Sequence, residues 1–171
     1  MNGPTNIDRT SPFEYLRNFN PSGDHYLSAV GINERLIDTL TDSVLTTFET
    51  PWSGPEDVID CCFSPDGQRV YFNARGELLF VFDSAAGGPA ITTVELPLST
   101  WCGSLAAHPD GRLLATVEDG RAVTFRDAET LEVLRTYDFA MPTVTCVAFT
   151  PDGTRCVIGN SRGKVLLFDV D

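Results

Sequence analysis

Two histidines, His25 and His108, are all the imidazole this 171-residue chain carries, and that scarcity limits its chemistry. A Ser-His-Asp site or a histidine-bound metal needs several convergent groups. Both histidines adjoin proline-containing turns, where the sequence predicts exposure. The five cysteines are Cys61, Cys62, Cys102, Cys146 and Cys156. They are odd in number and contain no CxxC pair, so they fit neither a disulfide framework nor a zinc site. They read as reduced, partly buried small apolar residues. Cys61 and Cys62 are adjacent, so at most one can point to a given face of a strand. A reducing, cytoplasmic compartment follows. No P-loop, no GxGxxG after a strand and no HExxH motif is present. Gly87-Gly88-Pro89 reads as a loop, not a phosphate cradle, since no helix follows it. No catalytic residue, cofactor or metal is assigned.

Carboxylates are the abundant group. Asp and Glu number 24 against 12 Lys and Arg, a net charge of -12. Such a surface repels a nucleic-acid backbone and anionic lipid, and it permits a basic partner. The aspartates at 66, 110 and 152 recur, but a turn explains them. Hydrophobic residues make up 42% and charged residues 21%, as expected of a chain that buries a core. No apolar run approaches the roughly 18 residues of a membrane span. The first twelve residues, MNGPTNIDRTSP, have no apolar h-region, so no secretory signal is expected.

The elements that must position these groups repeat. FNPSGD, FSPDGQ, AHPDGR and FTPDGT place prolines at 21, 65, 109 and 151, spaced by 44, 44 and 42 residues. A period of about 40–45 residues is that of a four-stranded propeller blade. Proline presets φ for the first turn position, and Gly23, Gly67, Gly111 and Gly153 can take φ > 0 where the chain reverses. β-rich runs flank each turn. A second tight turn follows at Asn33-Glu34, Arg75-Gly76, Asp119-Gly120 and Arg162-Gly163. Third strands then run to Asp42, Asp83, Asp127 and Asp169. Fourth strands are expected at Val44–Glu49, Ile91–Leu96 and Val133–Tyr137. The predicted fold is all-β, a β-propeller of four four-stranded blades at roughly 11–51, 55–97, 99–140 and 142–171, the last without its outer strand.

The stretch VTCVAFTPDGTRCVIGNSRGKVLLFDVD resembles a WD-repeat blade, with Phe168-Asp169 in place of Trp-Asp. Phe82-Asp83 is the same variant, while Arg126-Asp127 and Thr41-Asp42 depart further. The resemblance covers nearly the whole chain and is weakest in the first repeat. The Gly-His pair of typical blades is missing, so the family's hydrogen-bond network is not expected. Blades must rely on packed Val, Leu, Ile and Phe. A related bacterial repeat family shares the Pro-Asp-Gly turn and also lacks the network.

Family propellers usually have seven or eight blades, so four leave two open sides to hide. Three arrangements would do so. Two chains could form an eight-bladed homodimer, each N-terminus completing the other's last blade. The chain could be a piece of a longer propeller. It could also close alone as a four-bladed ring. Residues 1–10 occupy the place of an outer strand but are poor strand formers.

The resemblance implies that the d–a loops, which join one blade's outer strand to the next blade's inner strand, form a peptide-binding rim. Phe13, Trp52, Trp101 and Met141 lie in those loops, with Glu56 and Asp57 beside them, and Glu49 and Glu95 near in sequence. Aromatic anchors and flanking carboxylates suit a basic peptide or protein. The alternative for the two tryptophans is to plug gaps between blades. The expected function is a non-catalytic protein-interaction scaffold. One alternative is a small-ligand or metal-dependent propeller hydrolase of lactonase-like kind, for which Glu14, Glu56, Asp57 and Asp60 are the acidic candidates of the central channel. The other is a structural fragment of a longer propeller.

Overall fold

A computed structural model describes residues 15–30, 33–50, 58–74, 78–96, 102–140 and 143–170. Among them there are only strands and turns. The first sheet holds β1 (Tyr15–Phe19), β2 (His25–Val30), β3 (Asn33–Asp38) and β4 (Val44–Phe48). The second holds β5 (Val58–Phe63), β6 (Arg69–Ala74), β7 (Leu78–Asp83) and β8 (Thr92–Glu95). The third holds β9 (Cys102–Ala107), β10 (Leu113–Glu118), β11 (Ala122–Asp127) and β12 (Val133–Asp138). The fourth holds β13 (Val144–Phe149), β14 (Arg155–Asn160) and β15 (Val165–Asp169). Each sheet is an antiparallel meander in chain order.

The recurring proline turns close all four first hairpins in one way. The amides of Gly23, Gly67, Gly111 and Gly153 donate to the carbonyls of Asn20, Ser64, His108 and Thr150 at 2.8 to 3.0 Å. All four glycines sit at φ 72 to 77, the left-handed region that only glycine enters freely. At the next reversal, Asp119 and Gly120 take φ 53 and 60, matching the twist of the flanking strands.

The first repeat departs from the sequence reading twice. Asn33 and Glu34 are not a turn. They lie in β3, paired with Val30 and Ala29. The third strand ends at Asp38, not Asp42. Asp38 Oδ1 accepts the amides of Leu40 and Thr41 at 3.0 and 2.7 Å. Asp83 does the same for Ala85 and Ala86, and Asp127 for Glu129 and Thr130. The recurrent aspartate therefore caps the c–d turn with its carboxylate, and Asp38 is the one so placed in the first sheet.

Period-two alternation gives each sheet two apolar faces, and consecutive sheets pack face to face. Leu27, Leu36 and Phe48 of the first sheet meet Phe72, Phe80 and Phe82 of the second. Phe48, Phe72 and Phe82 are mutually edge-on, with centroids 5.3 to 5.4 Å apart. Tyr71, Leu79 and Val81 meet Leu105, Leu114 and Leu131 of the third sheet. Val117, Val123 and Phe125 meet Val144, Ile158 and Phe168 of the fourth. Cys61 faces the first of these cores and Cys62 the second, as adjacent strand residues must. Cys156 is buried, whereas Cys146 is exposed and so departs from the expected burial.

The inner strands β1, β5, β9 and β13 pack successively against one another. No comparable packing joins β13 to β1 among the described residues. The sheets thus form an open run of blades, a partial β-propeller, and not a closed four-bladed ring. Side chains also link neighbouring blades. Asn18 Nδ2 donates to Cys61 O at 3.1 Å. The glycine-rich loop after β7 docks on the first blade: Gly88 N donates to Thr47 O at 2.9 Å, and Glu49 N to Gly88 O at 2.7 Å. A methyl group on Gly87 would fall 2.7 Å from Thr47 O, so glycine is required there for backbone approach.

Candidate partner-binding site

Strand order delivers the loops to two rims. β4, β8 and β12 end, and β5, β9 and β13 begin, on one side of the stacked sheets, the rim from which the connections between blades leave. Phe13, Trp52, Trp101, Met141, Glu56 and Asp57 all lie outside the described residues. Their described neighbours show how the rim is held. Ala140 and Thr143 have φ of 48 and 59, a backbone that costs side-chain-bearing residues energy and needs tethers to persist. Asp138 Oδ1 accepts the Ala140 amide at 2.8 Å. Thr143 O accepts Ser161 N at 3.0 Å, and Val144 N donates to Gly120 O at 2.7 Å. Glu49 and Glu95 are exposed.

Asp60 was a candidate channel carboxylate, and its oxygens are engaged by the backbone. Oδ1 accepts Cys61 N at 2.9 Å and Oδ2 accepts Leu105 N at 3.0 Å, tying the second blade to the third. Among the described residues no three His, Cys, Asp or Glu side chains group as a metal site would require. Burial pushes the Cys156 thiol up to about 12 and raises Cys62 as well, which keeps both protonated and unreactive.

The opposite rim carries the proline turns, and here His108 corrects the sequence reading. It is buried, not exposed. Its Nε2 lies 2.8 Å from Gly153 O, its Nδ1 lies 2.7 Å from Asp110 Oδ1, and Phe149 packs edge-on at 4.8 Å. Burial comes from the turn of the following blade, which covers the ring. A methyl group on Gly153 would stand 2.6 Å from that ring.

The turn carboxylates share a titration behaviour. Burial raises the Asp110 carboxyl, but the backbone amide and guanidinium of Arg112 and the His108 ring outweigh it and hold it at about 2. Asp66 is lowered by the Ser64 hydroxyl and the Gln68 amide, Asp152 by Thr150 and Thr154, and Asp127 by the Thr130 and Glu129 amides. A carboxylate whose folded pKa is depressed contributes stability above its unfolded value and loses it as pH falls through the folded value. Denaturation midpoints are therefore expected to be level above about pH 5 and to fall steeply between about pH 4 and pH 2. Urea melts across that range test this, and a flat profile down to pH 2 would contradict it.

One charged constellation was not anticipated. Arg126 is 3% exposed. Its Nη2 and Nε donate to Glu118 Oε1 at 2.7 and 3.2 Å, and Nη1 donates to Leu131 O at 3.0 Å. The Thr116 hydroxyl adds a third donor to the same Glu118 oxygen at 2.8 Å. The only sequence signal was negative: Arg126 stands where Phe82 and Phe168 stand in neighbouring repeats.

The class defined by this architecture is a partial propeller of the WD40 type. Residues 131–169 match the family WD domain, G-beta repeat. The matched stretch runs from the c–d turn before β12 through β15, so the family's repeat begins with one blade's outer strand and continues into the next blade. The chain is also similar to telomerase protein component 1 of Mus musculus, with 30% identity over 111 residues, and to that of Rattus norvegicus, with 29%. These alignments cover 65% of this chain and 4% of the relatives' length. Repeats of this family generally mediate protein–protein interaction and are generally non-catalytic.

Proposed function

We propose that this chain is a non-catalytic interaction scaffold that grips a peptide or protein segment on the rim formed by its d–a loops. What supports this reading is that β4, β8 and β12 end, and β5, β9 and β13 begin, on one side of the stacked sheets. Rigid sheets hold those loops while the loop sequences stay free to specify a partner. Trp101 and Trp52 are the anchors, Phe13 and Met141 extend the apolar contact, and Glu56 and Asp57 select basic residues. A net charge of -12 favours a basic partner. The relatives' name, a protein component of telomerase, agrees with a part in an assembly. A reducing, cytoplasmic setting belongs to the reading, and Cys61, Cys62, Cys146 and Cys156, all free, agree with it.

Trp101→Ala tests the reading. The variant is expected to keep its circular-dichroism spectrum and melting profile and to lose at least about tenfold in affinity for a peptide selected against the parent chain, as removing an aromatic anchor does. Unchanged affinity in a folded variant would end the assignment of Trp101.

A further inference from the structure

We propose that the two outermost faces of the blade run are halves of one interface: the open face of the fourth blade in one copy of this chain packs on the open face of the first blade in a second copy. Two such contacts, related by a twofold axis, close a ring of two chains. This is a different surface from the loop rim and does not rest on the rim reading.

Strand register shows what the open face of the fourth blade matches. In the third blade, Ala106 pairs with Ala115 and Ala115 with Phe125, while Ser104 pairs with Val117 and Val117 with Val123. Ala115, Val117, Val123 and Phe125 of these rows are at most 3% exposed, buried under the fourth blade. The matching rows of the fourth blade are Ala148, Val157 and Leu167, and Cys146, Gly159 and Val165. They are apolar throughout, yet Val165 and Leu167 are 71% and 48% exposed. This face therefore continues the series of inter-blade cores by one position. Apolar side chains aligned on an open sheet face mark an interaction surface.

The cover is the same in each established core. It is the opposite face of the following blade, as Phe63, Val70 and Phe82 cover the first blade. In the first blade itself the row in that register is Phe19, Tyr26, Ile37 and Val44. Phe19 and Val44 are 49% and 48% exposed. One face of each kind is thus open, and no comparable packing joins β13 to β1 among the described residues. A second copy supplies both missing partners at once. The closed dimer has eight blades, within the roughly four to eight that propellers adopt, and leaves neither face exposed.

The full chain, in size-exclusion chromatography with light scattering over a range of concentrations, is expected to have about twice its mass of 18.7 kDa. Leu167→Asp and Phe19→Lys are each expected to weaken pairing at least about a hundredfold, since each buries a charge in the contact, and to keep the circular-dichroism spectrum. Val165→Lys serves as the fourth-blade variant should Leu167→Asp fail to fold. Ile91→Asp, at a 59% exposed position of the second blade, is expected to stay paired, and so is Trp101→Ala, which separates this proposal from the rim reading. Mixing Leu167→Asp with Phe19→Lys is expected to restore pairing in part, because one of the two contacts then joins unaltered faces. A parent chain that stays monomeric at every concentration would overturn the proposal and leave a blade of another protein as the occupant. Pairing that survives Phe19→Lys but not Leu167→Asp would also overturn it, since like faces would then meet.

Discussion

Glu118→Ala is expected to destabilise the fold by about 3–5 kcal/mol, because it strands the Arg126 guanidinium in a buried site. The side chain of Arg126 is 4% exposed, and removing Glu118 takes away the acceptor of two of its three hydrogen bonds. The converse change is more informative. Glu118→Ala combined with Arg126→Phe installs the pair found in the second blade, Ala74 and Phe82, which are both buried in an apolar core. The double variant is expected to recover most of the loss. Urea denaturation of the two variants measures the first claim, and a double variant as unstable as the single one would contradict it.

Phe82→Ala is the second large effect. Phe82 is fully buried and touches Phe48 of the first blade and Phe72 of its own, with a stacked Phe80 at 5.9 Å. Truncation removes the shared ring of an inter-blade cluster and leaves a cavity that rigid sheets on both sides cannot close. The cost is expected to be about 3–5 kcal/mol, a drop on the order of 10 °C in Tm. Phe168→Ala at the matching position of the fourth blade should cost less, since Phe168 is only partly buried. Thermal melts of the two variants rank them. Equal losses would mean that the blades do not pack as described.

The parts of the fold that were legible in sequence are those fixed by local physics. Gly67, Gly111 and Gly153 announce their turns because the φ > 0 each adopts is available to glycine within a four-residue window. The strands followed from alternation around those turns. Asp38 was missed because Asp42 lies only four residues beyond it, and only the capping hydrogen bonds to Leu40 and Thr41 tell them apart. His108 was misplaced for a non-local reason. Its cover is Gly153, 45 residues away, and no local pattern encodes that contact. Arg126 carries no local signal of burial, and its partners Glu118 and Leu131 lie on the neighbouring strand and in the following turn. The rim residues were named from loop position alone, and Trp52 and Trp101 lie outside the described residues.

The measurement that tests the scaffold reading most directly is hydrogen exchange on the full chain, free and saturated with a peptide selected against it. The account predicts new protection in the connections 49–57, 96–101 and 139–143 and none in the turns around Pro21, Pro65, Pro109 and Pro151. Protection confined to those proline turns would contradict it, because the partner would then sit on the opposite rim.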